Sequence, residues 1–89
     1  MARFDLHNID TGGSAAGSAQ TDILFEMGIM YATGRDCAVD TVAAHKWFNI
    51  AAIKGSDRAA ELRAELAKTM SKADIATALR EAREWMTTH

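Results

Sequence analysis

No proline interrupts this chain, and 18 of its 89 residues are alanine. Proline is the residue a helix interior tolerates least, and alanine gives up least on entering a helix. Together the two counts predict an all-α fold. The length allows one small domain. Ten Lys and Arg stand against twelve Asp and Glu, a net charge of −2. That balance generates no field suited to nucleic acid or to an anionic membrane surface. A lone cysteine closes no intramolecular disulfide. The longest apolar run falls well short of the ~20 residues of a membrane-spanning helix. The opening Met1-Ala2-Arg3-Phe4-Asp5 carries charge where a secretory signal would carry an apolar core. A cytoplasmic, all-helical domain is the expectation.

The chain divides into an N-terminal tail over residues 1–20 and a helical domain over 21–89. From Thr11 to Gln20 the tail is small and polar, with little to offset the entropy of ordering it. Phe4, Leu6 and Ile9 form a short apolar patch within it. Thr21 or Asp22 can cap the first helix. Ile23, Leu24, Met27, Met30 and Tyr31 are expected on one face of that helix, with Gly28 embedded among them. Gly34 should end it by taking the left-handed conformation. Asp40 then caps a second helix, with Ala44, Trp47, Phe48, Ala51 and Ala52 as its buried stripe and Gly55 as its stop. A third helix over residues 57–69 turns Ala59, Leu62 and Leu66 inward. Ser71 opens a fourth over residues 72–87, with Ile75, Ala78, Leu79, Ala82, Trp85 and Met86 on its apolar face. Short turns between the helices predict an antiparallel array.

Two helices in a tight hairpin need small side chains where their axes come closest. Gly28 and Ala32 on the first helix, with Ala44, Ala51 and Ala52 on the second, supply them. Met27, Tyr31, Trp47 and Phe48 are the large residues that fill the space around the crossing. This pattern resembles a Sel1-like repeat, a relative of the tetratricopeptide helix-turn-helix. The matching residues are Met27-Gly28, Tyr31, Gly34, Asp40, Ala44, Trp47-Phe48, Ala51-Ala52 and Gly55. So many positions in one unit make a far more specific signal than a lone short motif. The resemblance covers about residues 23–58. Thirty-six residues after Ile23 stands Ala59, close to the ~34 of a tetratricopeptide unit. The third helix therefore looks like a degenerate half repeat and the fourth like a terminal capping helix. In the loop the family often carries a second glycine after the first, and Asp36 stands there instead.

Candidate chemistry is sparse. Residues 12–18 superficially look like a phosphate loop, but no lysine follows the last glycine and no apolar strand precedes it. Cys37 and His45 lack the further ligands of a metal set, and His7 and His89 lie near the chain ends. Cys37 is expected to fill a small apolar space in the loop. His45 is expected at a partly exposed helix edge. Asp36 reads as solvated and Asp40 as a cap, so they form no acid–base pair. The interspersed charges Arg58, Glu61, Arg63, Glu65, Lys68, Asp74, Arg80, Glu81, Arg83 and Glu84 read as solvated helix faces. Trp47 and Trp85 read as core residues. No catalytic residue, cofactor or metal ligand is expected, and the chain is not expected to be an enzyme.

The resemblance implies a protein-interaction module, an adaptor or scaffold that binds a partner protein or peptide on a helical-repeat surface. The alternative is a structural subunit acting mainly by homo-oligomerisation. Ile23, Met27, Met30 and Tyr31 cannot all face the second helix, which makes them the candidate interaction edge. A homodimer through that edge would bury it on both copies. Neither nucleic acid nor a membrane is expected as a partner.

Overall fold

The computed structural model describes residues 18–89, and among them every regular element is helical. The elements are α1 (Ala19–Thr33), α2 (Thr41–Ile53), α3 (Asp57–Ala67) and α4 (Lys72–Thr88). Of the expected tail, residues 1–17, with Phe4, Leu6 and Ile9, lie outside the described residues.

Each helix starts at a short polar side chain that accepts an amide hydrogen three residues on. Ser18, Asp40, Ser56 and Ser71 receive the N–H groups of Thr21, Ala43, Ala59 and Asp74 at 3.0–3.1 Å. Such a cap is worth about 1 kcal/mol relative to alanine. Asp40 and Ser71 take the roles expected of them. The first cap is not Thr21 or Asp22 but Ser18, so α1 begins at Ala19. The reason lies in the fold: Thr21 is turned inward and buried, its hydroxyl 3.1 Å from the Ser18 hydroxyl.

Helix ends follow the same local logic. Gly34 has φ 77° and, with Arg35, donates to the Met30 carbonyl. At the end of α2, Gly55 has φ 116° and donates to Ala52, while Ser56 donates to Ala51. That is the double closure of a Schellman motif. α3 stops two residues before the expected Thr69, whose N–H and hydroxyl both turn back to the Leu66 carbonyl.

α2 is the centre of the structure, and α1, α3 and α4 all pack on it. Its Ala44, Phe48, Ile50 and Ala51 are wholly buried. Burial of a side chain the size of Phe48 or Ile50 stabilises by about 1.5–3 kcal/mol. From α1 come Leu24, Phe25, Gly28 and Ile29, with the Phe25 and Phe48 ring centroids 5.9 Å apart. The face expected on α1 is therefore corrected. Leu24 and Gly28 do point inward, but with Phe25 and Ile29, while Ile23 is 61 % exposed and Met27, Met30 and Tyr31 are half-buried. α3 contributes Ala59, Leu62 and Leu66, as its spacing predicts. α4 presents Ala78 and Ala82 to the interior and makes its main contact with α2, not alongside α3. Leu79, expected on the inner face of α4, stands 40 % exposed.

Candidate functional site

The outer face of α1 holds a shallow groove of about 300 Å³, lined by Asp22, Ile23, Glu26, Met27, Met30 and Arg35. At 100° per residue, Ile23 and Met30 fall within about 20° of each other on the outer side of the helix, and Met27 lies between them and the buried Leu24. The inward face is set by Gly28, the position where α1 meets the Phe48 ring, and it leaves Ile23 exposed and Met27 and Met30 half-buried along the outer side. Arg35 comes from the turn after Gly34 and reaches back to Glu26 at 3.3 Å. Both side chains are about half exposed, so this ion pair shapes one rim and adds little stability. Asp22 has no ion-pair partner among the described residues. The floor is apolar and deformable, because unbranched thioethers repack around different shapes. Three members of the candidate edge, Ile23, Met27 and Met30, thus come together. Tyr31 does not line the groove. Met27 does, while also packing, like Tyr31, against the core cluster.

The remaining singled-out residues are spread along the α1–α2 hairpin. A Cβ added at Gly28 would collide with the Cδ1 and Cε1 atoms of the Phe48 ring, so the close approach is to Phe48 and not to Ala51 or Ala52. The Tyr31 carbonyl accepts the Asp40 N–H at 3.0 Å, which ties the start of α2 to the end of α1. In the same turn Asp36 adopts φ 63°, a conformation that glycine takes more readily than any other residue. Cys37 is half-buried, and its thiol points to the Met30 carbonyl at 3.7 Å. Trp47 is half-buried and packs against the core cluster; it meets Trp85 edge-on at 5.5 Å, and the Lys46 ammonium lies 4.4 Å from its ring centre. Trp85, also half-buried, stacks on His89 at 4.3 Å. Ala44 and Ala51 are wholly buried and Ala52 is half-buried.

His45 departs most from its expected place. It is buried, at 3 % exposure, and its Nδ1 has no hydrogen-bond partner. Burial, and secondly the Arg63 guanidinium, hold its pKa below the ordinary imidazole value. The guanidinium of Arg63 donates to the Oδ1 of Asn49, another buried polar residue of α2. Reading α2 as a helix with one buried stripe missed both His45 and Asn49. A helix enclosed by three neighbours buries polar positions off the stripe as well. The available signal was the apolar character of α2 around most of its circumference.

Among the described residues, no group of three or more His, Cys, Asp or Glu side chains is placed to hold a metal ion. Nor is any described helix long and apolar enough to cross a membrane. No family profile, curated protein or solved structure matches the chain.

Proposed function

We propose that the chain is a small protein-interaction module built on a Sel1-like repeat over about residues 23–58, an adaptor that binds a partner through the outer face of α1. The observation that carries this reading is the groove of Ile23, Met27 and Met30, apolar along its floor and covered by no described element. The exposed Ile23 and the outer sides of the two half-buried methionines leave apolar surface in water, which an amphipathic segment laid across them would remove. The ligand fitting this groove is a helix or extended peptide with two or three apolar anchors and a basic flank facing Asp22 and Glu26.

Two features of the turn support the repeat type. Asp36, where the family often has its second loop glycine, sits at positive φ, and Gly34 does the same. The family's Gly on the first helix and aromatic pair on the second correspond here to Gly28 beneath the Phe48 ring. Homo-oligomerisation is the second reading, favoured by the exposure of Ile23, since a two-fold contact would cover the same groove on both copies.

The test is capture of partners from native extract by the full chain, compared with Met27→Glu/Met30→Glu and with Leu79→Glu as a control on another exposed apolar residue. A partner retained by wild type and by Leu79→Glu, and lost with the groove variant, supports the reading. Capture unaffected by the groove substitutions overturns it. Light scattering on the same three proteins reads the second possibility, as a dimer that the groove substitutions dissociate.

A further inference from the structure

Residues 4–9 read Phe4-Asp5-Leu6-His7-Asn8-Ile9, three apolar anchors within six positions, with Arg3 just before them. They are joined to Ser18, the cap of α1, by residues 10–17, of which three are glycine and one is serine. We propose that this segment is the resident occupant of the α1 groove, a built-in competitor that an external partner must displace. The proposal rests on the groove being a binding surface, as argued above, but not on the identity of any partner.

Three observations carry it. The first is reach. Ile23 and Met30 lie five and twelve residues beyond Ser18 on a helix, hence about 7.5 and 18 Å along its axis. A Gly- and Ser-containing stretch of eight residues has a root-mean-square span of about 16 Å. The tether therefore matches the distance it has to bridge. A matched short tether holds the segment at an effective concentration in the millimolar range, so even a contact of weak intrinsic affinity stays largely formed.

The second is chemistry. The groove floor of Ile23, Met27 and Met30 is apolar and about 300 Å³ in volume, room for one or two side chains of the size of Phe4 and Leu6. Methionine sulfur makes favourable contacts with an aromatic ring, and Phe4 is the one aromatic residue ahead of α1. The third is charge. Asp22 and Glu26 border the groove, and Arg3 is the cationic side chain next to Phe4 in sequence. On the opposite rim Arg35 can meet Asp5 or Asp10, the acids that flank Leu6 and Ile9.

The experiment keeps the full chain and labels the methionine methyl groups. Wild type is compared with Phe4→Ser/Leu6→Ser/Ile9→Ser, whose substitutions precede α1 in the sequence. The Met27 and Met30 methyl resonances should differ between the two proteins, because the Phe4 ring current and burial are lost in the variant. A synthetic peptide of residues 1–10 should bind the variant and perturb the same two methyl groups. It should bind wild type at least about tenfold more weakly, since apparent affinity falls with the fraction of free groove. Superimposable methyl spectra, or equal peptide binding by the two proteins, would overturn the proposal. So would methyl shifts that vary with protein concentration, which would place a second copy in the groove. Failure of partner capture with the shifts still present would count against the adaptor reading and leave the tail contact standing.

Discussion

The two halves of the molecule pack on the same helix by different means. Between α1 and α2 the fit is one of shape: Phe48 occupies the space that the missing side chain of Gly28 leaves, and Phe25 tilts against its ring. Between α2 and α4 the contact is smoother. Ala78 and Ala82 let the helices approach, and the edge-on meeting of Trp47 and Trp85 closes one side of the interface. A void or an added atom in the first interface has nowhere to go, because the surrounding side chains are wholly buried. In the second, the partly buried Trp47 and Trp85 rings have a solvent side toward which they can shift. Stability is therefore expected to depend sharply on residue volume in the α1–α2 hairpin and less so at the Trp47–Trp85 edge of the α2–α4 contact.

The largest expected effect is that of Phe48→Ala. Truncating a wholly buried aromatic residue costs about 3–5 kcal/mol. A core of this size rarely contributes more than that in total, so the variant should lose cooperative unfolding in urea altogether. Trp85→Ala, which removes a larger but only partly buried ring, should remain folded with a lowered midpoint. Equal losses would break the comparison. Next is Gly28→Ala. Helix propensity alone would make this change stabilising by about 0.8–1 kcal/mol. Overlap with the immobile Phe48 ring costs about 1–3 kcal/mol, so the net sign should be destabilising and Gly28→Leu worse still. A melting temperature at or above wild type for Gly28→Ala would show that α1 and α2 separate more easily than their packing implies.

A smaller effect concerns His45, which tests whether the centre of α2 is as closed as its burial suggests. The folded protein holds this imidazole neutral, with a pKa below its ordinary value of about 6.5. As pH falls through about 6.5 the unfolded chain takes up a proton first, so stability is full above that pH and declines below it. The decline approaches at most about 1.4 kcal/mol per pH unit and levels off once the folded form is protonated too. His45→Gln should remove that component between pH 6.5 and 5, read from urea midpoints. An unchanged slope would mean that another group carries the proton. Asp36→Gly should have the smallest effect and the opposite sign. Relief of the left-handed backbone at φ 63° is offset by the greater freedom of glycine in the unfolded chain. A gain of up to about 1 kcal/mol is expected, and a loss would mean that the Asp36 carboxylate holds the turn.

Much of the local structure is legible in the residues themselves. Asp40, Ser71, Gly34 and Gly55 mark their helix ends through interactions that span no more than five positions, and the Ala59, Leu62, Leu66 stripe orients α3 unaided. Within the candidate site, Ile23, Met27 and Met30 are foreseeable as an open edge because one helix cannot turn every apolar residue toward a single neighbour. Their grouping into a groove, with Arg35 drawn back to Glu26, depends on the course of the turn after α1 and is not a property of the helix pattern.

By itself, then, the sequence determined the helical class, most of the helix ends and Gly28 as a point of close approach to the second helix. These follow from backbone sterics, capping and side-chain volume, all of which act between near neighbours. The tertiary structure alone decided that Phe25 and Ile29 of α1 face inward, that α4 docks on α2, and that His45 and Asn49 are enclosed. Each of these depends on how many helices surround α2. A helix apolar on nearly every side satisfies one neighbour or three equally well, until the other segments compete for its faces and the arrangement that buries the most surface prevails.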